Sequence, residues 1–219
     1  MSSDPDSSAH RAPGAYRAPR RAAEAELRER KSRFLGLLFP VTGEAAAQER
    51  LEEVRRSYPD ATHHCWAWRL GARGDERSSD DGEPAGTAGL PMLQVLRGAE
   101  LSDVLAVVVR WYGGIKLGKG GLARAYAEAT RLALEALPTV LRVPTDRVRL
   151  ELPYDRLGAV KRLVHPPAVE LVEESYGAAV ELLLAVHRHR RRELEENLAE
   201  LGLSAAEEAS KTPPEGGSS

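Results

Sequence analysis

A glycine-lysine loop is the part of the sequence best suited to chemistry. Residues 113–121 read GGIKLGKGG, one residue after the mostly apolar stretch 104–111 and directly before a helical pattern. Glycines let a backbone approach an anion closely, and the first amides of a helix have no partner within that helix. Lysines beside such amides add positive charge, so the pattern predicts a cradle for phosphate or carboxylate. The candidate anion- or nucleic-acid-binding residues are Arg110, Gly113, Gly114, Lys116, Gly118, Lys119, Gly120, Gly121 and Arg124.

Two known phosphate-binding motifs fit this loop only in part. The spacing from Gly113 to Gly118 and Lys119 begins like a Walker A sequence, but Gly120 follows where Ser or Thr should bind magnesium. A dinucleotide fingerprint would need an acidic residue about 20 positions further on, at the end of a second strand, and none is found there. Two interpretations therefore stay open: contact with a polyanion, or a glycine-rich turn that packs a helix on a sheet.

An acidic loop is the second candidate. Residues 78–91 read SSDDGEPAGTAGLP, and their carboxylates could bind a hard cation or act in acid–base chemistry. The spacing of a calcium-binding EF-hand is absent, and acids beside Gly and Pro are also typical of solvated loops, which is the favoured interpretation. Thr87 could cap the helix that follows. The residues of this loop, whose role the sequence leaves unknown, are Asp80, Asp81, Gly82, Glu83, Pro84, Gly86 and Thr87.

Two smaller groups of residues complete the search. His63, His64 and Cys65 are consecutive, but adjacent residues of a strand point to opposite faces, so His64 cannot activate Cys65, and a buried thiol is the favoured interpretation. Residues 187–192 read HRHRRR and could contact RNA phosphates, or could be a solvated face neutralised by the acids after it. The arginines of this secondary basic patch are Arg188, Arg190, Arg191 and Arg192. We assign no catalytic residue, no metal site and no cofactor.

Strands and helices must position these loops. The apolar run Val104–Trp111 predicts a buried strand, and a stripe that begins at Leu122 predicts a helix ending near Leu137. A long loop is expected at 71–86. Further strands are expected at 32–41, 61–70, 147–152, 168–175 and 178–187, and further helices at 44–58, 88–96 and 156–165, with a last one containing Leu194 and Leu198.

The chain is expected to hold two domains. Prolines at 138 and 144 place a linker at 139–144, between a domain over 21–138 and a smaller one over 145–205. The smaller domain has the order β-α-β-β-α, which is one strand short of the ferredoxin-like pattern. Polar tails rich in Pro, Ser and Gly are expected to be disordered at 1–20 and 206–219.

Composition limits the class of protein. The 219 residues are 42% hydrophobic and 29% charged, which suffices for a folded core, and 31 basic against 33 acidic residues give a net charge of −2. That balance excludes a polycation, so nucleic-acid binding would need a local basic patch. The single cysteine excludes an intrachain disulfide framework. No apolar run is long enough to cross a membrane and no secretory signal is visible, so we expect a cytoplasmic protein.

Long blocks of the first domain resemble a known family. SSDDGEPAGTAGLPMLQVL (78–96) and VVVRWYGGIKLGKGGLARAYAEA (107–129) look like the signature of the YigZ/IMPACT family, and SRFLGLLFPV (32–41) and DATHHCWAWRLG (60–71) match its earlier blocks in order. YDRLGAVKRLV (154–164) resembles the carboxy-terminal domain of the two-domain bacterial members. The resemblance implies an α/β (α+β) fold. Its first domain would have a mixed sheet, as in ribosomal proteins and translocase domain IV, and its second would be ferredoxin-like.

The resemblance also implies a functional class. Eukaryotic relatives regulate translation by competing for a scaffold protein, whereas no accepted catalytic set exists to carry over. Our first hypothesis is a non-enzymatic, translation-associated regulator that binds RNA, the ribosome or a translation factor through the glycine-lysine loop. The alternatives are an enzyme on a small anionic or phosphorylated substrate, with residues 80–83 as base or metal site, and a scaffold that binds only protein. We expect no membrane partner and no readout of DNA sequence.

Overall fold

Two compact units make up the part of the chain that the structure describes. The structure is a computed structural model that describes residues 12–207. The first unit spans Ala15–Arg142, and the second includes residues 143–207. The expected α/β class is confirmed, because both units pack helices on β-sheets. Residues 1–11 and 208–219, where most of the expected tails fall, lie outside the described residues.

Seven strands and three helices form the first unit. They are β1 (Tyr16–Pro19), β2 (Ala23–Glu29), β3 (Ser32–Pro40), α1 (Glu44–Ser57), β4 (His63–Leu70), β5 (Asp75–Ser79), α2 (Gly89–Gly98), β6 (Val104–Trp111), α3 (Gly118–Glu135) and β7 (Thr139–Arg142). Five of the strands form an antiparallel sheet in the order β2-β3-β6-β4-β5. Helix α1 packs on one face, and helices α2 and α3 pack on the other.

Strand β6 lies at the centre of this sheet and is buried on both faces. Val107 and Val109 face helix α1, whereas Ala106 and Val108 face helices α2 and α3. Side chains alternate across a strand, so a strand covered on both sides is apolar at nearly every position, with Arg110 the exception in β6. This arrangement explains the continuous apolar run, and β6 has the limits expected from the sequence. The glycine-lysine loop follows the end of this rigid element.

The limits of the first unit differ from the expected domain limits of 21–138. Strand β1 lies in the expected tail and strand β7 in the expected linker, and the two pair with each other antiparallel. Tyr16 pairs with Arg142, so the partners are more than a hundred residues apart in sequence. No local pattern can reveal such a pairing, because neither four-residue strand shows enough alternation to be recognised alone.

Strand β5 was also missed within the expected long loop at 71–86. Its sequence, DERSS, is polar because it is an edge strand with little burial. Arg69 on β4 and Arg97 on α2 both bond to the carboxylate of Glu76 on β5, at 2.8 Å and 2.9 Å. Ion pairs with distant arginines therefore stabilise this strand, and it lacks the alternating apolar residues by which a strand is usually predicted.

The second unit is a four-stranded sheet with helices on one face. Its elements are β8 (Thr145–Leu152), a 3-10 turn (Tyr154–Arg156), α4 (Leu157–Lys161), β9 (Val169–Tyr176), β10 (Val180–His187), a 3-10 turn (Arg188–Arg190), α5 (Arg191–Glu200) and β11 (Ala206–Glu207). The antiparallel order is β11-β8-β10-β9, and helix α4 is shorter than the expected helix at 156–165. Leu150, Leu184 and Leu198 lie in the core of this unit.

The expectation that the last strand is missing was wrong. Ala206 pairs with Arg149 and Glu207 with Val148, which completes the β-α-β-β-α-β order of the ferredoxin-like pattern. The strand has only two residues and contains no β-branched residue, so its sequence carries no strand signal. Between residues 12 and 207, no helix is both long and apolar enough to span a bilayer.

Candidate nucleic-acid interface

The glycine-lysine loop connects strand β6 to helix α3 and is held by close backbone contact. A Cβ atom at Gly113 would lie 2.0 Å from the carbonyl oxygen of Lys31, so only glycine fits there. Gly118, the first residue of α3, has a φ of +70°, which favours glycine. The residue before it, Leu117, provides no side-chain acceptor to the first turn of α3. The amides of that turn are therefore not capped by the residue that usually caps them.

The side chains of this loop point a concentrated charge at solvent. Lys116, Lys119 and Arg124 are exposed, as are the glycines Gly114, Gly118 and Gly120. Gly121 packs against Leu117, whose Cβ would lie 3.1 Å from an added Cβ. The glycines of the loop thus allow close backbone packing, and its two lysines are exposed, so contact with a polyanion stays a prediction.

A second group of cations was missed by the sequence argument. Strands β2 and β3 are joined by the two residues Arg30 and Lys31, with φ values of +44° and +66°. A two-residue hairpin with two positive φ values is the type I′ geometry, for which Asn-Gly is strongly preferred. The sequence lacks that dipeptide, so the turn signal was absent. The hairpin tip is nevertheless in contact with the loop, through Lys31 and Gly113.

We call Arg30, Lys31, Lys116, Lys119 and Arg124 the basic surface. Arg30 and Arg124 line one cavity of about 230 Å³ between the hairpin and helix α3. The same cavity contains Glu29, 3.9 Å from Arg30, and Glu128, which pairs with Arg131. Among residues 12–207, no carboxylate forms an ion pair with the other four cations of the basic surface. Their charge is available to an external anion.

Arg110 does not belong to this surface, although we expected it to flank the loop. Its side chain is 5% exposed and forms an ion pair with Glu83, whose side chain is 4% exposed. The hydroxyl of Tyr126 donates a second hydrogen bond to Glu83, with 2.8 Å between the oxygens. The Arg110 charge is therefore neutralised inside the protein, and its Nε has no hydrogen-bond partner in the described chain.

Asp80 in the acidic loop holds the start of helix α2. Its carboxylate accepts hydrogen bonds from the backbone N–H groups of Gly86, Ala88 and Gly89, at 2.7, 2.9 and 2.9 Å. Burial alone would raise the pKa of Asp80, but these three bonds favour the ionised form and hold the pKa below its ordinary value. Asp80 caps the helix in place of Thr87, whose hydroxyl donates to the Pro84 carbonyl at 2.6 Å.

The other acids of this loop are engaged as well. Asp81 accepts a hydrogen bond from the backbone N–H of His64 at 2.7 Å and one from Arg55 at 3.3 Å. Gly82 provides a turn with a φ of +86°. Glu83 is the partner of Arg110. Each carboxylate thus has an internal structural role, and within residues 12–207 no group of three or more His, Cys, Asp or Glu side chains could hold a metal ion.

The buried cysteine and its neighbours bind the same loop. The thiol of Cys65 donates to the carbonyl oxygen of Asp80 across 3.0 Å, and Nδ1 of His63 lies 2.8 Å from the carbonyl oxygen of Asp81. Burial raises the pKa of the Cys65 thiol far above its ordinary value, so the reactive thiolate is suppressed. These contacts fix the acidic loop against strand β4.

The secondary basic patch is largely neutralised. Arg188 lies 3.1 Å from Asp146, and the three following arginines each face a glutamate one helical turn further on. The three distances are 2.8 Å for Arg190 and Glu193, 2.8 Å for Arg191 and Glu195, and 3.6 Å for Arg192 and Glu196. These internal pairs favour a solvated, charge-balanced face over a phosphate-binding patch.

Comparison with known proteins assigns the class that this two-unit α/β fold defines. The model of the Impact N-terminal domain matches residues 30–134, which include the hairpin tip, the acidic loop and the glycine-lysine loop. The chain is 41% identical over 174 residues to the IMPACT family member YigZ of Escherichia coli (strain K12), across 78% of this chain and 85% of that protein. It is 36% identical over 187 residues to the IMPACT family member YvyE of Bacillus subtilis (strain 168), across 85% and 86%.

A solved structure agrees with this result. A crystal structure of a hypothetical protein superimposes with a TM-score of 0.66 and 34% identity, across 90% of this chain and 98% of that chain. The chain therefore belongs to the IMPACT family, as its signature blocks indicated.

Proposed function

We propose that the protein is a translation-associated regulator of the YigZ/IMPACT type and that it binds ribosomal RNA through the basic surface. The observation that carries this proposal is the convergence of cations from three elements: the β2–β3 hairpin tip, the loop after β6 and the first turns of α3. The net charge of the chain is −2, so this concentration is local. Local basic patches are the electrostatic signature of nucleic-acid binding.

The translation role is supported by the family resemblance, and the RNA partner by the chemistry of the surface. Exposed lysine and arginine side chains beside uncapped helix amides suit phosphate groups. The enzyme alternative loses support, because Asp80, Asp81 and Glu83 are each occupied by internal partners. A protein-only scaffold remains as an outcome of the test below.

Ribosome co-sedimentation at low and moderate salt tests this proposal. The Lys116→Glu/Lys119→Glu variant should lose salt-sensitive pelleting, because it reverses two charges that have no internal partner. The matched control is Arg56→Glu/Arg73→Glu, which makes the same charge change at two exposed arginines on α1 and in the β4–β5 turn. The control should still pellet with ribosomes.

Two outcomes would contradict the proposal once folding has been verified by circular dichroism. Absence of pelleting by the native chain at low salt would exclude ribosome binding. Equal loss in both variants would show a general charge effect without a defined surface. Capture of proteins that survives nuclease treatment, without any RNA retention, would favour the scaffold instead.

A further inference from the structure

Tyr112 is an exposed aromatic residue at the start of the glycine-lysine loop. It is 44% exposed, whereas most of strand β6 before it is fully buried. Ile115, three residues further along the same loop, is 41% exposed. Neither belongs to a buried hydrophobic cluster of the first unit. An aromatic residue that is nearly half exposed, on a loop that also carries two exposed lysines, needs an explanation other than core packing.

The Tyr112 ring rests on a cation that is itself fixed. The guanidinium carbon of Arg110 lies 5.4 Å from the centroid of the Tyr112 ring and 5.3 Å from that of Phe34. Arg110 is buried and paired with Glu83, so it contacts Tyr112 from the protein side. The backbone N–H of Tyr112 donates to the hydroxyl of Thr62 at 3.0 Å. The backbone of Tyr112 is therefore held by Thr62 and its ring is contacted by a buried cation, while much of the side chain stays exposed to solvent.

Gly114, two residues after Tyr112, leaves open space on the loop. A Cβ atom added at Gly114 would have no neighbour within 4 Å, whereas the space beside Gly113 is filled by the backbone of Lys31. Lys116 and Lys119 follow on the same loop, and both are exposed. An exposed aromatic ring and unpaired cations on one loop suit single-stranded nucleic acid, which proteins bind with bases stacked on aromatic rings and phosphates on cations.

We propose that the basic surface takes RNA as a single strand, with an unpaired base stacked on Tyr112. This inference rests on the proposed function and adds the kind of RNA to it. In an A-form duplex the base faces are covered by stacking, so Tyr112 has no partner there, whereas unpaired loops and bulges expose theirs. The lysines alone would bind duplex, single strand and any other polyanion. Tyr112 is the residue that discriminates.

Three ligands distinguish the contribution of base stacking to the affinity from the contribution of phosphate charge. A 12-nucleotide single-stranded RNA carries bases and phosphates, the 12-base-pair duplex hides its base faces, and inorganic polyphosphate has no bases. Affinities are measured by fluorescence anisotropy with labelled single strand and duplex, and polyphosphate is measured as competitor at the same ionic strength. The variants are Tyr112→Ala, Tyr112→Phe and Leu90→Ala, the last removing an apolar side chain that is 45% exposed on helix α2.

Tyr112→Ala should weaken binding of the single strand about tenfold or more, which is the range for loss of one stacked base. Tyr112→Phe and Leu90→Ala should bind the single strand as tightly as the native chain does. The inhibition constant of polyphosphate should be the same for the native chain and for every variant. The duplex should bind more weakly than the single strand and should be indifferent to Tyr112→Ala.

The possible failures of the two proposals are distinct. If the native chain binds all three ligands alike, and Tyr112→Ala binds as the native chain does, stacking is refuted while the anion surface stands. If Tyr112→Ala weakens polyphosphate as much as single-stranded RNA, Tyr112 acts through the shape of the loop and the inference is also refuted. If the native chain binds none of the three ligands, the proposed function and this inference fail together.

Discussion

The hairpin tip offers a substitution that should raise stability and lower affinity at the same time. Arg30 and Lys31 both occupy the left-handed region, which costs a non-glycine residue roughly 1 kcal/mol or more. Arg30→Asn/Lys31→Gly installs the dipeptide that a type I′ turn prefers. Part of the gain is offset because glycine loses more backbone entropy on folding. We expect a net gain of about 1–2 kcal/mol.

This gain should appear as a higher melting temperature. At roughly 2–4 °C per kcal/mol for a chain of this size, the midpoint should rise by about 2–8 °C. The same variant removes two cations from the basic surface. Each lost contact with a single strand reduces the slope of log affinity against log salt by about 0.7. Two lost contacts correspond to a loss of about 60-fold at 0.05 M salt and about 10-fold at 0.2 M.

Thermal unfolding and RNA titration at two salt concentrations measure both effects on one sample. Arg56→Gln/Arg73→Gln removes two exposed arginines elsewhere in the first unit and should change neither affinity nor slope. A stabilised variant with native affinity would show that the hairpin tip does not contact RNA. A lower melting temperature would refute the argument from turn geometry. Removal of other surface charges is not expected to raise the melting temperature while it lowers the affinity for RNA.

Three further predictions concern partly or fully buried polar groups of the first unit. Asp80→Ala should lower the free energy of unfolding by roughly 2–3 kcal/mol in urea titration, because three backbone N–H groups lose their acceptor. The folded pKa of Asp80 is lowered, so its contribution to stability is present above its unfolded pKa of about 4 and is lost as the pH falls through the folded pKa. A difference in stability between native chain and variant that stays unchanged at lower pH would contradict this prediction. Glu83→Gln should cost about 3–5 kcal/mol by leaving Arg110 buried and uncompensated, and Glu83→Gln/Arg110→Met should recover much of it, whereas additive losses would refute the coupling. Burial, and then the hydrogen bond to Asp103, raise the pKa of Tyr16 to about 12. A phenolate absorbance titration should therefore show a late step near that pH, and Tyr16→Phe should remove it. The contribution of Tyr16 to stability is complete below pH 10, the ordinary tyrosine value, and is lost as the pH rises toward about 12.

The elements around the candidate site could be predicted because they carry strong periodic patterns. Strand β6 is apolar except at Arg110, and helix α3 shows a stripe of buried residues from Leu122 to Ala133, so both elements could be predicted from their apolar patterns. The glycine-lysine loop between them was found by composition. The two lysines of this loop, Lys116 and Lys119, could also be identified from the sequence, because neither is neutralised by a distant residue of the described chain.

The rest depended on contacts between distant residues. Arg110 and Glu83 are 27 positions apart, and no local pattern indicates that one neutralises the other. The contact between Gly113 and Lys31 is equally remote, so the hairpin tip could not be added to the site from sequence. Strand β11 was invisible for a different reason: it has only two residues, and neither is of a type that favours strands.

Pairing of β1 with β7 has a mechanical consequence. Tyr16 lies opposite Arg142 and Pro19 opposite Thr139, so the chain enters and leaves the first unit at the same end of this two-stranded ribbon. A pulling force applied to the chain on either side of the unit would act on one pair of residues at a time and open the ribbon like a zipper. Shearing, which loads all cross-strand bonds together, would need the opposite arrangement. The ribbon would therefore yield at low force, and the five-stranded sheet that supports the basic surface would bear load only afterwards.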